Sequence, residues 1–531
     1  MNYSKNKPSI LNTALFIVLS ATFFLSFWLF SRYTVDDSFI SWGYGRNLVE
    51  AGFWGYNTVS FDLTQAYTNP IYALISIIPN ILEWDIVLFF KIFSLLTLVS
   101  FVLWFLQKTN RAWVMLLLLI SLPATMQHVF SGLETFLFVF VLSAIIIALY
   151  ENNKSLSIIL TVILFFIRPE SWLLLALVPL YFLIKKPSSV KILGSRSLHL
   201  EIQKVEFSLT EGSKVLLCLL LPLASYLIFN YIYFDNVLPN TFYAKSAGRF
   251  DYLNFIYFTY CAIPLVIVGL AGRIKLMICI AALFFPMIVS YSTSQLVMDY
   301  GSRFAFHIFT PLFIFCVYLA GKQENDVLFI SENETFQNKI VIRKGMLIKT
   351  LLIPFYIIFL MKSSTDLGSQ TVSYPRELDS VAALGKAIGE ISYEDKIKAF
   401  SFGDAGMAAY HADIPALDNI GLASVTVARK GLDFALLDKY GIDLVIFHAN
   451  ASGIRFHEFN QQTIFNWAKL NNFEELCDIY TRSDYFYKVF SRKPIPEISA
   501  VCDSSKMKNN IDSRTYLVKN ISIPPWHFWK E

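Results

Sequence analysis

The first two-thirds of the chain is a succession of apolar runs separated by short polar loops, the pattern of a polytopic α-helical membrane protein. Runs of spanning character lie at about 11–30, 86–107, 112–126, 133–150, 155–167, 170–185, 214–234, 253–271, 274–292, 304–321 and 345–362, with a shorter one at 70–83. A spanning helix takes about 20 mostly apolar residues. The first run follows Lys5 and Lys7, is longer than the apolar core of a signal peptide, and ends in bulky residues instead of a small-residue cleavage site. It reads as an uncleaved first helix.

The basic residues set the expected topology. With the N-terminus cytoplasmic and 70–83 re-entrant or interfacial, Lys108 and Arg111, Lys185 to Arg196, Arg273 and Lys275, and Lys322 to Lys344 all fall in cytoplasmic loops. That is where an excess of Lys and Arg belongs. If 70–83 and every other run spanned, each of these loops would flip outward. The expectation is therefore about 11 transmembrane helices plus one re-entrant segment. A rival in which 70–83 spans and 112–126 does not keeps the later loops on the same sides.

The character changes after residue 362. Residues 1–363 read as a transmembrane module, with a first outer loop at about 32–69, and residues 364–531 as a soluble extracytoplasmic α/β domain. In that domain Asp443-Leu444-Val445-Ile446-Phe447 predicts a buried strand. Ser401-Phe402-Gly403-Asp404-Ala405-Gly406 predicts a strand running into a Gly turn.

Composition agrees with a lipid-facing surface: 55% of residues are hydrophobic and only 16% charged, against about a quarter charged in soluble domains. The net charge of +4, without a basic tract or a zinc-type Cys/His spacing, argues against a nucleic-acid partner. Four of the cysteines lie in apolar runs. Cys477 and Cys502 lie in the polar C-terminal part and form a candidate disulfide if that part faces an oxidising compartment.

On this topology the chemistry-bearing residues gather on the outer side. The first loop carries Asp36, Asp37, Arg46 and Asn69; later loops carry Glu134, Arg168 with Glu170, Asn240 with Lys245, and Asp299 with Arg303, with His307 one helical turn on. Each charge taken singly reads as a loop or snorkelling residue. Carboxylates and cations recurring together on one face suit a site for an anionic lipid. In the adjacent pair Asp36-Asp37, repulsion raises one pKa, which suits a general base; one of the two also suits a helix cap before Ser38.

Asp36-Asp37-Ser38-Phe39-Ile40-Ser41, Arg46-Asn47-Leu48 and Tyr67-Thr68-Asn69-Pro70 resemble the first-loop signature of GT-C fold glycosyltransferases, in the arabinofuranosyltransferase-like branch. The resemblance continues through Ser131 to Thr135, Arg168-Pro169-Glu170, Leu238 to Lys245, Asp299 to Arg303, Gly403 to Gly406 and Asp418 to Leu422. Ser38 departs from the family's usual Ala or Gly, and Met298 to Ser302 matches its Gly-Asp-Trp-like element loosely. The resemblance implies a GT-C architecture in a bacterial inner membrane and a polyprenyl-phosphate–sugar donor. It also implies an Asp in the first outer loop as base, matched here to Asp36.

The expected reaction is an inverting transfer to an envelope glycan, glycolipid or protein. Arg168, Lys245 and Arg303 would hold the donor phosphate, with Arg46 and His307 behind them. Glu134, Glu170, Asn69, Asn240, Asp299 and Asp404 would shape the site and the acceptor subsite. No motif calls for a cofactor; a divalent cation, Mg or Mn, bridging carboxylates and phosphate is the alternative. The competing readings are a flippase for polyprenyl-linked sugars and a non-enzymatic envelope assembly protein.

Overall fold

The structure is a computed structural model that describes residues 10–109, 113–183, 188–191, 201–204, 209–245, 250–294, 296, 299–324, 326–333, 338–365, 367–393, 397–450, 453–458, 460–482 and 485–507. The N-terminal half begins with α1 (Ile10–Phe30), α2 (Asp36–Ala51), α3 (Pro70–Ile75), α4 (Ile77–Ile81) and α5 (Ile86–Lys108). It continues with α6 (Trp113–Ser121), α7 (Pro123–Phe130), α8 (Thr135–Tyr150), α9 (Lys154–Phe165) and α10 (Leu174–Leu183). A hairpin of β1 (Ser188–Lys191) and β2 (Glu201–Lys204) precedes α11 (Leu209–Phe234), α12 (Asn240–Lys245), α13 (Tyr252–Ala262), α14 (Pro264–Leu270), α15 (Ile274–Thr293) and α16 (Arg303–Lys322). A second hairpin, β3 (Val327–Asn333) and β4 (Asn338–Arg343), leads to α17 (Lys344–Ser363).

Among the described residues, six helical segments are long and apolar enough to cross a membrane: α5, α11, α13 with α14, α15, Tyr300–Lys322 and α17. The pair α7 and α8, bent by 112°, makes a seventh if it is one span. This is a membrane protein, but helix length supports six or seven spans, fewer than about 11. The first run folds as the 21-residue α1, and those at 112–126, 155–167 and 170–185 fold as shorter helices. At 12 residues α9 is about 18 Å long, short of a hydrocarbon core of about 30 Å. Arg168-Pro169 breaks the chain between it and α10. The 70–83 run forms the short helices α3 and α4, packed on α2, where the Ser76 hydroxyl donates to the Ala73 carbonyl at 2.7 Å and lies 3.3 Å from the Trp42 carbonyl.

Residues Arg303 to Ala320 of α16 are all buried, and this helix forms the centre of the bundle, as expected of a helix apolar on nearly all sides. At one end of the bundle basic residues meet helix termini: Lys108 pairs with Glu151 at 2.6 Å, Tyr318 donates to Glu151 at 2.9 Å, and Lys349 pairs with Glu324 at 3.5 Å. The opposite end carries the first loop and the C-terminal domain.

That domain contains α18 (Tyr374–Ser392), β5 (Phe400–Phe402), α19 (Met407–Ala412), β6 (Ala416–Asp418), α20 (Val425–Lys430), α21 (Phe434–Tyr440), β7 (Leu444–Asn450), β8 (Gly453–Ile454), α22 (Gln461–Leu470), β9 (Glu474–Arg482), β10 (Tyr485–Ser491) and α23 (Pro496–Met507). The sheet runs β6-β5-β7-β10-β9, with β8 paired to β7. The first three strands are parallel and the β10 pairings antiparallel. Strand β7 is buried along Leu444 to Ala449, as a strand covered on both faces should be. Cys477 on β9 and Cys502 on α23 are joined by a disulfide, Cα atoms 6.2 Å apart.

Side chains of the first loop grip the domain's backbone. Asn57 donates to the Ala416 carbonyl at 2.8 Å and accepts from its N–H at 3.0 Å. Asp62 accepts from the Ser424 hydroxyl at 2.7 Å and the Tyr440 hydroxyl at 2.9 Å. The hydrophobic core is continuous from the helical bundle to one face of the sheet, and a separate core covers the other face. The domain is therefore a fixed wall over the first loop.

Candidate functional site

A cavity of about 600 Å³ lies where the first loop, the break before α8, the break before α10, α15, the start of α16 and the C-terminal domain converge. Asp37, Ser41 and Asn69 line it from the first loop; Glu134, Arg168 and Glu170 line it from the two breaks; Arg303 lines it from α16 and Leu422 from the C-terminal domain. Its apolar flank includes Leu173, Phe242, Met287 and Leu296. Phe242 is 59% exposed, so this flank opens at the surface of the bundle.

The two adjacent aspartates diverge. Helix α2 begins at the pair, so successive side chains point about 100° apart. Asp37 lines the cavity and Asp36 does not. The Asp36 carboxylate instead accepts the N–H groups of Gly406 at 2.9 Å and Met407 at 2.7 Å, while its own N–H donates to the Tyr374 hydroxyl at 3.0 Å. Those N–H groups lie at the N-terminus of α19, just after the turn from β5, and Gly406 is required there because a Cβ would collide with the Asp36 carbonyl. Burial and the charge of Asp404 push the Asp36 carboxyl well above the usual range, against the pull of the Met407 N–H. No hydrogen bond or ion pair among the described residues engages the Asp37 carboxylate.

The cations also differ. Arg168, 4% exposed, donates to Glu134 at 2.7 Å and to both oxygens of Glu170 at 3.1 and 2.6 Å, so its charge is already shared between two carboxylates. Arg303 is 8% exposed, and its Nε and Nη1 are buried without a hydrogen-bond partner. A buried guanidinium with unused donors is costly unless something fills its site.

The other expected residues take separate places. Arg46 lies away from the cavity, bonded to the Tyr410 carbonyl and paired with Asp413 at 3.0 Å. His307 sits behind the wall with Nδ1 3.2 Å from the Tyr291 hydroxyl. Asn240 donates to the carbonyls of Gly421 at 2.7 Å and Leu422 at 3.0 Å, fixing the loop that brings Leu422 to the cavity. Asp299 accepts from the Phe304 N–H at 3.0 Å at the start of α16. Asp404 accepts from the Tyr487 hydroxyl at 2.6 Å and lies 3.3 Å from His448 Nε2, inside the C-terminal domain. Lys245 ends α12, and its side chain lies outside the described residues. Among the described residues no group of three or more His, Cys, Asp or Glu is arranged to hold a metal ion.

Among the lining residues outside the expected set are Ser41, Tyr291 and Leu422. Ser41 follows Asp37 by one helical turn, so helical spacing alone places it on the same face. Leu422 ends the Asp418 to Leu422 segment that carries part of the resemblance, while Tyr291 lies in an apolar run, where sequence offers no comparable signal. The chain matches no protein-family model, no curated protein and no solved structure.

Proposed function

We propose that this chain is an inverting glycosyltransferase of GT-C architecture, taking a sugar from a polyprenyl-phosphate–sugar at the outer face of a bacterial inner membrane and passing it to an envelope glycan, glycolipid or protein. In this reading the shorter apolar helices complete a membrane module of about 11 spans. One observation carries the reading: among the described residues, the cavity holds an unengaged carboxylate, Asp37, and a guanidinium with unused donors, Arg303, beside an apolar flank open at the bundle surface.

Asp37 takes the proton from the acceptor hydroxyl as its oxygen bonds to the anomeric carbon. The bond from that carbon to the phosphate oxygen breaks, and its electron pair leaves on the phosphate. A single displacement inverts the carbon. Arg303 neutralises the charge that grows on the phosphate, in a site dry enough for the pairing to be strong. The prenyl chain lies along Leu173, Met287 and Leu296. Leu422, held by Asn240, shapes the acceptor side.

The test is mass-spectrometric detection of free polyprenyl phosphate after incubating the protein, in lipid nanodiscs, with polyprenyl-phosphate–sugars and envelope acceptors. Stoichiometric appearance of free lipid phosphate and glycosylated acceptor supports the assignment. Movement of intact lipid-linked sugar across reconstituted vesicles, with no bond broken, replaces it with transport.

A further inference from the structure

A chain of hydrogen bonds runs round the cavity wall from the helix bearing Asp37 to the helix bearing Arg303. Ser41 Oγ donates to Asn69 Oδ1 at 2.6 Å, and Asn69 Nδ2 donates to Glu134 Oε2 at 2.6 Å. Arg168 then joins Glu134 at 2.7 Å to Glu170 at 2.6 Å. The Tyr291 hydroxyl donates to Glu170 Oε1 at 3.3 Å and lies 3.2 Å from His307 Nδ1. A hydroxyl has one proton, so with Glu170 accepting it, His307 Nδ1–H donates to the hydroxyl oxygen. Ser41, Asn69, Glu134, Arg168, Tyr291 and His307 are all buried.

The ends of this chain are placed for a purpose. Ser41 is one turn from Asp37 on α2, and His307 is one turn from Arg303 on α16, so each shares a helix face with the unengaged group. The middle is an arginine between two carboxylates, a desolvated unit that cannot lose one partner without stranding charge.

We propose that this chain is a strut that sets the separation of Asp37 and Arg303, and that Arg168 is its hub, a positioning residue and not a ligand of the donor phosphate. The proposal rests on the functional reading above. In-line displacement needs base, acceptor, anomeric carbon and phosphate in register, and a misplacement of about 1 Å can cost about 10²-fold in rate. Affinity for the phosphate alone needs only Arg303.

The experiment measures two quantities in nanodiscs: equilibrium binding of long-chain polyprenyl phosphate, and turnover of the polyprenyl-phosphate–sugar. Asn69→Ala and Tyr291→Phe cut the chain on opposite sides of Arg168. Each is expected to leave polyprenyl phosphate affinity within about twofold and lower turnover by about 10–10². The double variant is expected to be no slower than the slower single variant, because a cut strut is not cut again. Arg303→Gln, in contrast, weakens binding by at least about tenfold. The proposal is overturned if Asn69→Ala or Tyr291→Phe weakens binding as much as Arg303→Gln, or if their effects on turnover multiply. If the unaltered protein binds no polyprenyl phosphate, it is the functional reading that fails. The strut is then decided by a thermal-unfolding double-mutant cycle on Asn69 and Tyr291. Coupling of at least about threefold upholds it, and simple additivity removes it.

Discussion

Replacing Asp36 by Ala should release the C-terminal domain without touching the reacting groups. The Asp36 carboxylate satisfies the N–H groups of Gly406 and Met407, both inside a continuous core. Hydrogen bonds to a charged group are worth about 1.5–3 kcal/mol each, giving a gross loss of about 3–6 kcal/mol. Part of that returns, because the carboxylate is buried beside Asp404 and its charge is disfavoured there. The net destabilisation is smaller than that gross figure, yet a sizeable share of the roughly 5–15 kcal/mol typical of a folded protein. Thermal unfolding of the purified protein should show a lower midpoint, and limited proteolysis should cut first between the bundle and the domain. Gly406→Ala should reproduce both effects with no change of charge, since its Cβ collides with the Asp36 carbonyl. An Asp36→Ala protein as stable and protease-resistant as the parent, yet inactive, would refute this reasoning and move Asp36 into the chemistry.

Asp418 gives a pH-dependent test. Burial pushes its carboxyl up to about 6, against the pull of the Ala423 and Ile420 N–H groups. Between its unfolded value near 3.8 and about 6 the folded state holds the extra proton, so this group's contribution to stability falls as pH rises through that window, by up to about 3 kcal/mol. The difference in unfolding midpoint between the parent and Asp418→Asn should therefore change across pH 4–6 and level off above it; a flat difference would contradict the sign. Breaking the Cys477–Cys502 bond frees a loop with a sequence separation of 25 and should cost about 3 kcal/mol, read as a lower midpoint in reductant that Cys477→Ser/Cys502→Ser abolishes. Arg303→Gln should raise KM for the lipid-linked donor by at least about tenfold, with kcat also reduced, in initial-rate assays.

Much of the architecture is written in the chain because lipid solvation acts on composition. The runs that became α5, α11, α15, α16 and α17 are long, apolar and uncharged in the middle. The breaks carrying Glu134 and Arg168-Pro169-Glu170 also stand out, since charge and proline interrupt apolar sequence there. Which aspartate faces the cavity does not stand out, because Asp36 finds its partner N–H groups 370 and 371 residues away. The same limit applies to the cations. Glu170, two residues on, marks Arg168 for pairing along the chain, but its second partner, Glu134, is 34 residues away, and the unused buried donors of Arg303 show only in the fold. Helix length was legible in a coarser way: the runs at 155–167 and 170–185 are short in the sequence, and the structure leaves them as short helices.

The proposed mechanism makes Asp37, and not Asp36, the base of a glycosyl transfer. Turnover of a polyprenyl-phosphate–sugar should be compared in nanodiscs for the parent, Asp37→Asn and Asp36→Asn, with polyprenyl phosphate binding measured on the same samples to report an intact site. Asp37→Asn is expected to lose about 10²–10⁴ in kcat at unchanged binding, while any loss in Asp36→Asn follows its loss of stability and of binding. Full turnover by Asp37→Asn would contradict it.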